Sequence, residues 1–290
     1  MNMAKVEGFT PSSAAIKLSH WLDAFSATGA PRFPVDVSQL ALAVGNQLRW
    51  VDNISTVKAV PLSSFEGGLF ELEKGSWALL YNEKMSSSGR IRFTQAHELG
   101  HFLLHRNLQS TFECSEGDLL HWGSDLKKME SEADEFAANL LMPLTHFRAA
   151  TSGQPISLEV LSAASNQFGV SLTATALQWI KSTEESAVLV LSRDGYIDWS
   201  ISSDRAFKNG AFFRTKGITV ELPSGSLAAD ESFANSKQGV HVALKIWFEH
   251  AHASAIVREM KLGCVNYGYT LTLLHLSSSD KAFPPGRFPD

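Results

Sequence analysis

The chain contains little cysteine and no long apolar run, and both shortages exclude classes of protein. Only 2 of its 290 residues are cysteine, too few for a disulfide scaffold, so Cys114 and Cys264 are expected to be reduced thiols. No run of 18 apolar residues occurs, and Met1 to Pro11 lack the apolar stretch of a secretory signal. The sequence predicts a cytoplasmic protein with no membrane partner.

Positive charge is also scarce. The chain has 25 Lys and Arg against 30 Asp and Glu, a formal net charge of −5, and no block of basic residues. Affinity for nucleic acid depends largely on cationic contacts to phosphates, so direct nucleic-acid binding is not expected. Because 44% of the residues are hydrophobic, a chain of this length can bury a sizeable core, and two units are expected.

The most specific feature present is the string His-Glu-Leu-Gly-His from His97 to His101. Positions i and i+4 of a helix lie about 40° apart, so both imidazoles can bind one Zn²⁺. Glu98 would lie beside the metal, where it can take a proton from a zinc-bound water, whose pKa falls to roughly 7, and later pass it to a leaving amine. The pattern predicts a zinc site that hydrolyses peptide bonds.

A second helix is predicted through residues 129–142, with Ser124 as its N-cap and Pro143 just past its end. Its helical phase places Glu130 and Asp134 on one face, whereas Glu132 points about 200° away from Glu130 and Glu135 projects to another side. Glu130 is therefore the predicted third zinc ligand. Asp134 is predicted to accept a hydrogen bond from the outer ring nitrogen of a ligand histidine. Glu132 and Glu135 fit an acidic, solvated face.

Small residues should let the two predicted helices approach closely. They are Gly100 on the first helix and alanines at positions 133, 137 and 138 on the second. A metzincin site is excluded, because Leu104 and Asn107 occupy the positions where that class needs glycine and a third histidine. His105, one turn beyond His101, is expected to contact the ligands from outside or to be a packing histidine.

The sequence does not assign the group that stabilises the oxyanion or the occupant of the fourth zinc position. Three residues are candidates for stabilising the tetrahedral oxyanion, and the sequence does not decide among them: Tyr81, His121 and His146. Cys114 could instead supply a thiolate that closes the fourth zinc position, although a free cysteine is more often a small buried hydrophobe.

Two blocks of the sequence together resemble the ImmA/IrrE family of zinc metallopeptidases. Phe93 to His105 is similar to the family pattern F-T-x-A-H-E-x-G-H-x-L-L-H, and Glu130 to Pro143 to E-x-E-A-[DN]-x-F-A-A-x-L-L-M-P. The likeness is dense over residues 66–182. It implies a gluzincin-like core that acts on helix-turn-helix repressors, often encoded nearby, and relieves repression after DNA damage or other stress. The motif itself specifies neither substrate nor stimulus.

The N-terminal part is predicted to form helices at 12–28 and 36–45 and strands at 50–60, 68–72 and 77–82. In folds that this chain resembles, a strand before the zinc helix lies along the cleft, and its free edge can pair with an extended substrate. The alternative is that the 77–82 strand lies in the interior of the sheet.

Residues 157–181 are predicted to form a helix-turn-helix-like hairpin. Its second helix has no Arg or Lys from Ser171 to Trp179, so a packing hairpin is favoured over a DNA reader. Beyond residue 185 the sequence is β-rich, with strands expected at 187–192, 196–201, 217–222, 240–248 and 267–276. The three histidines of that part, His241, His250 and His252, are interpreted as structural or surface residues.

The predicted fold class is α+β: a helical zincin-like peptidase core with a small sheet over residues 1–185, then a β-rich domain at 186–290 for sensing or substrate recognition. The predicted function is zinc-dependent endopeptidase cleavage of a cytoplasmic protein, a helix-turn-helix repressor by resemblance. Two alternatives remain. One is a non-proteolytic regulator with structural zinc, and the other is a toxin–antitoxin component that acts by protein binding.

Overall fold

The protein is described by a computed structural model that covers residues 8–62, 65–85, 87–114, 124–232, 235–264 and 267–283. The chain divides into two compact units. The first comprises Met1–Ala149 and Ser165–Ser171, and the second comprises Ala150–Ala164 and Leu172–Asp290. The fold is α+β, as predicted, with a helical region followed by a β-rich region. No helix in the described part of the chain is long and apolar enough to cross a membrane.

Five helices carry most of the first unit. They are α1 (Pro11–Ser26), α2 (Val37–Leu48), α3 (Ser88–Leu104), α4 (Ser124–Leu141) and α5 (Leu144–Thr151). Local capping sets where the early helices begin. The Thr10 hydroxyl accepts a hydrogen bond from the Ser13 amide and Pro11 follows at the first helical position, while Asp36 caps α2 through the Gln39 amide. Such caps satisfy amides that have no partner inside the helix.

The first unit also contains a four-stranded sheet. Its strands are β1 (Asn53–Val60), β2 (Gly67–Glu73), β3 (Ser76–Asn82) and β4 (Thr111–Cys114), in the spatial order β1-β3-β2-β4. Strand β3 pairs parallel with β1 and antiparallel with β2, and β2 pairs antiparallel with β4. The predicted strand at 77–82 is thus an interior strand, and its expected role as a free edge is wrong. The edges of this sheet are β1 and β4.

The core of the first unit lies between this sheet and the helices. It contains buried side chains from α1 to α4 and from all four strands, including Leu18, Val44, Leu79, Leu99, Phe102, Phe112 and Phe136. Since α3 is buried from Thr94 to Leu103, it is the central helix of the unit. This central position explains why polar side chains on α3 can be removed from water.

The second unit is built on an antiparallel five-stranded sheet. Its strands are β5 (Ser186–Arg193), β6 (Tyr196–Ser202), β7 (Asn235–Ala243), β8 (Ile256–Cys264) and β9 (Tyr269–Leu276), in the order β6-β5-β9-β8-β7. The short helix α8 (Asp204–Lys208) follows β6. Residues 217–222 do not form the predicted strand and contribute one isolated bridge, between Glu221 and Tyr196.

Two further differences concern β7 and β8. Strand β7 ends at Ala243, and the predicted continuation to residue 248 is instead a 3₁₀ turn at Leu244–Ile246. Strand β8 was not predicted, because Glu259 and Lys261 interrupt its apolar pattern. Both are buried in the structure. The Glu259 carboxylate accepts hydrogen bonds from the Ala228 amide at 2.7 Å and from Trp247 Nε1 at 2.9 Å, partners that no local pattern shows.

The predicted hairpin is present as α6 (Leu158–Phe168) and α7 (Leu172–Ser182). The end of α6 and the turn that follows it, Ser165–Ser171, belong to the first unit, whereas the start of α6 and all of α7 belong to the second. In α7 no residue from Leu172 to Ile180 is fully exposed, and Thr175, Ala176, Trp179 and Ile180 are buried. This burial is typical of a packing helix, and the assignment of the hairpin to the peptidase domain stays a prediction. The functional division at residue 185 stays a prediction.

Candidate metal centre

Helix α3 positions the two histidines of the motif. It begins after Ser87, whose hydroxyl accepts a hydrogen bond from the Arg90 amide, and it runs unbroken through the motif to Leu104. The four-residue spacing places the rings of His97 and His101 together, with centroids 4.8 Å apart. Both histidines are buried, and His101 is fully so. The predicted helix and its histidine pair are therefore present.

Helix α4 approaches α3 closely at Gly100. A Cβ atom at Gly100 would lie 3.0 Å from Phe136 Cδ1 and 3.2 Å from Ala133 Cα, tighter than ordinary van der Waals contact. The missing side chain of Gly100 and the small Ala133 thus permit the approach, as predicted for these two residues from the sequence. The consequence is that a carboxylate on α4 reaches the histidines on α3.

Three donor groups converge between the helices. His97 Nε2 lies 3.0 Å from His101 Nε2, and the two Glu130 oxygens lie 3.1 Å from His97 Nε2 and 3.3 Å from His101 Nε2. Donor atoms about 2.0–2.1 Å from a tetrahedral zinc are roughly 3.3 Å apart. The separations and the two-nitrogen, one-carboxylate donor set therefore fit zinc. No other group of this kind occurs among the described residues.

The outer nitrogens of both histidines are also engaged. His97 Nδ1 lies 2.9 Å from Asp134 Oδ1, the contact predicted from helical phase. His101 Nδ1 lies 3.1 Å from His105 Nδ1, and His105 Nε2 lies 3.0 Å from Glu132 Oε2. Hydrogen bonds of this type fix which ring nitrogen faces a metal.

The placement of Glu132 corrects the sequence analysis. Helical phase placed it on a solvated face, opposite Glu130, but its carboxylate lies against His105 and its side chain is only 32% exposed. The prediction considered α4 alone, whereas His105, just beyond the end of α3, reaches the other side of α4. Glu135 behaves as predicted, because it is exposed and accepts a hydrogen bond from the Ser12 hydroxyl.

Burial and charge act differently on the three donors in the metal-free site. Burial lowers the pKa of His101 well below its ordinary value. Burial acts in the same direction on His97, but hydrogen bonds to Asp134 and Glu130 outweigh it and raise the pKa of His97. For Glu130, burial acts to raise the pKa, but hydrogen bonds from His101 and His97 hold it below the usual range. The carboxylate is therefore ionised, as a metal ligand must be.

Comparison with known proteins agrees with this geometry. The sequence model of the IrrE N-terminal-like domain, Peptidase_M78, matches residues 55–179. This segment belongs to the ImmA/IrrE family. It is a peptidase-family domain that contains all three converging donors. No curated protein matches the chain.

One solved structure extends the likeness beyond the ImmA/IrrE domain. A Mycobacterium tuberculosis transcriptional regulator aligns with 92% of this chain and 76% of its own, with a TM-score of 0.50 and 13% sequence identity. At this identity the alignment shows a shared fold and nothing about activity.

Within the ImmA/IrrE domain, Glu98 is fully buried beside His97 in sequence and acts on it electrostatically. Gly67, at the start of β2, makes room for it. A Cβ at Gly67 would lie 2.3 Å from Thr94 Cγ2 and 3.0 Å from Glu98 Oε1. This glycine was not singled out from the sequence, since the approach of β2 to α3 is a tertiary contact.

The three oxyanion candidates have different surroundings. Tyr81 pairs in register with Gly67 on the neighbouring strand, which places its backbone next to the residue that touches Glu98. His146 Nε2 lies 3.0 Å from Asp23 Oδ1, and its ring packs edge-on against Phe33, contacts that indicate a structural role. His121 lies outside the described residues, as does the side chain of Cys114.

The remaining histidine cluster carries no metal geometry. His250 Nε2 pairs with the neighbouring Glu249 at 3.0 Å, and His252 Nδ1 lies 2.8 Å from the Ser254 hydroxyl. These local contacts match the structural or surface role expected for them. An acidic neighbour for His250 was not anticipated, although Glu249 is adjacent in the sequence.

Proposed function

We propose that this chain is a zinc-dependent endopeptidase that cleaves a cytoplasmic protein. The observation that carries the proposal is the convergence of His97 Nε2, His101 Nε2 and the Glu130 carboxylate within zinc-binding distances of one another, with Glu98 buried next to them in the sequence. The peptidase-family match over residues 55–179 supports it.

His97, His101 and Glu130 would hold the zinc, which when bound supplies a Lewis acid and lowers the pKa of a coordinated water to roughly 7. Glu98 acts as the general base. It accepts a proton from the attacking water and donates it to the amine that leaves from the scissile bond. Burial keeps its carboxylate out of contact with bulk solvent, so the proton is retained for the leaving group.

The substrate we propose is a helix-turn-helix transcriptional repressor. The resemblance of the two motif blocks to ImmA/IrrE peptidases supports this choice, and the chain itself offers no strong DNA-reading surface in α7, where Leu172–Ile180 lacks Arg and Lys. Cleavage of a repressor would relieve repression without requiring this chain to bind nucleic acid.

The test is to mix the zinc-loaded protein with candidate helix-turn-helix repressors, beginning with any that is encoded beside it, and to follow fragments by intact mass. Wild type is expected to produce two fragments whose masses locate the scissile bond. Glu98→Gln should bind zinc equally and produce none, since the amide cannot take the proton. Glu135→Gln, an exposed carboxylate of α4, is the matched control and should cleave normally.

Two results would contradict the proposal. Equal fragmentation by Glu98→Gln would show that Glu98 is not the base. Stable complex formation without fragments from either protein would favour a non-proteolytic regulator or a toxin–antitoxin component that acts by binding.

A further inference from the structure

The two ligand histidines are supported by different groups. The outer nitrogen of His97 contacts a carboxylate directly, at Asp134. The outer nitrogen of His101 contacts a second imidazole, His105, which in turn contacts the Glu132 carboxylate. His101 and His105 are both buried, at 0% and 2% exposure, so water does not substitute readily for either contact.

Only one distribution of hydrogens over the rings of His101 and His105 allows His101 to bind a metal through Nε2. For His101 to present a lone pair on Nε2, its hydrogen must be on Nδ1, and it then donates to His105 Nδ1. His105 must therefore carry its hydrogen on Nε2, which faces a Glu132 oxygen that can only accept. The carboxylate thus favours the His105 tautomer that His101 requires.

The opposite arrangement would block the site. If His105 carried a hydrogen on Nδ1, it would donate to His101 Nδ1, and the hydrogen of a neutral His101 would lie on Nε2, where the metal should bind. Without an acceptor at position 132, the His105 tautomer with its hydrogen on Nε2 is less strongly favoured. A residue on the far side of α4 would in this way control a ligand that it does not touch.

We propose that Glu132 is a positioning residue for the zinc ligand His101 and that it acts through His105. The proposal deepens the proposed function and rests on zinc binding at His97, His101 and Glu130. Two further contacts define the geometry. The Phe112 ring stacks on the His101 ring, with centroids 4.6 Å apart and planes at 23°, and the second Glu132 oxygen lies 3.8 Å from Lys128 Nζ.

The test compares Glu132→Ala and Glu132→Gln with Glu135→Ala in the full-length protein. Zinc affinity is measured by competition with a chromophoric chelator, independently of any peptidase assay. Removal of a group that orients a metal ligand typically costs 10–100-fold in affinity, so Glu132→Ala should bind zinc at least about tenfold more weakly. Glu132→Gln retains an acceptor oxygen and should lose much less, and Glu135→Ala should match wild type.

A second measurement separates positioning from general stability. Nitrogen-15 spectra of the zinc-loaded wild type should show His105 with its hydrogen on Nε2. The melting temperature of metal-free Glu132→Ala should fall more than that of Glu135→Ala, because the buried His105 loses its acceptor. Glu132→Gln keeps an acceptor and should melt close to Glu135→Ala, and zinc affinities are compared at temperatures where all variants are folded.

The outcomes are distinct. Equal zinc affinity of Glu132→Ala and wild type, or a His105 hydrogen on Nδ1 in the loaded protein, would overturn the positioning role and leave the proposed peptidase intact. Loss of affinity in Glu132→Gln as large as in Glu132→Ala would show that charge, and not hydrogen-bond acceptance, is what matters, and would also overturn it. Failure of wild type to bind zinc would overturn the proposed function itself.

Discussion

His97 Nδ1 lies 2.9 Å from Asp134 Oδ1, across the interface between α3 and α4. When Nε2 of a neutral His97 binds a metal, the ring hydrogen must be on Nδ1. The Asp134 carboxylate then accepts a hydrogen bond from Nδ1 and fixes this tautomer. The Asp134 side chain is 59% exposed, so it can be replaced without opening the core.

We expect Asp134→Ala to weaken zinc binding about 10–100-fold, because His97 would lose the group that orients it. Asp134→Asn keeps an amide oxygen at this place and should lose less. Chelator competition measures both. Similar affinities for Asp134→Ala and wild type would show that α3 packing alone orients His97.

Gly67→Ala is expected to abolish peptidase activity while zinc binding is retained. The added methyl would lie 2.3 Å from Thr94 Cγ2 and 3.0 Å from Glu98 Oε1, and strain of this kind displaces side chains. The variant should therefore lose activity on the substrate that wild type cleaves but keep the zinc affinity of wild type. The double variant Gly67→Ala with Thr94→Ser removes the nearer methyl contact and should recover part of the activity. If the single variant were active, β2 would have shifted to accommodate the methyl group and Glu98 would have kept its position.

Gly100→Val is expected to separate α4 from α3. Even one added carbon would lie 3.0–3.4 Å from Phe136 and Ala133, and overpacking of this kind typically costs about 1–3 kcal/mol. Urea unfolding of the metal-free protein should show the loss, and zinc affinity should fall as Glu130 moves away from the histidines. Gly100→Ala should show a smaller effect on affinity. Wild-type affinity in the valine variant would mean that Glu130 does not depend on this close approach.

Zinc removal should lower the melting temperature of the first unit. A ligand that binds only the folded state, at a free concentration of 100 times its Kd, stabilises by about 2.7 kcal/mol. A scan with and without chelator measures the shift. Glu130→Gln, which lacks the anionic ligand, should show a much smaller difference between the two scans. An equal difference in this variant would place the stabilising metal elsewhere.

Glu259→Leu is expected to destabilise the second unit by about 1–3 kcal/mol or more. Glu259 is fully buried, and the leucine would leave the Ala228 amide and Trp247 Nε1 without their acceptor. Urea unfolding followed by tryptophan fluorescence measures the loss. Glu249→Leu, at a side chain that is 82% exposed, is the control and should change stability little. Comparable stability of the two variants would show that the loop bearing Ala228 finds other partners.

Much of the candidate site was predictable because it follows from the period of one helix. The spacing of His97 and His101 puts them on one face, and the phase of α4 distinguishes Glu130 and Asp134 from Glu135. The same reasoning was wrong for Glu132. Its partner His105 is 27 residues away in the sequence and lies outside α4, so no periodicity within α4 could show the contact.

The strands were also predictable only in part. Strands β2, β3, β5, β6 and β9 were predicted close to their observed bounds, since their apolar and β-branched residues are local signals. Strand order was not, and the strand at 77–82 proved to be interior because β1 pairs along its other side. Strand β8 was missed, because the residues that satisfy Glu259 lie on other segments.

The sequence by itself determined the two zinc-helix candidates, the identity of the three converging donors and the small residues that let the helices meet. These properties depend on helical geometry, which repeats every 3.6 residues and needs no knowledge of the rest of the chain. Only the tertiary structure decided that Glu132 contacts His105, which contacts His101, that Gly67 makes room for Glu98 and that Glu259 is satisfied in the core. Each of these depends on side chains brought together by packing, whose separation in sequence carries no periodic signal.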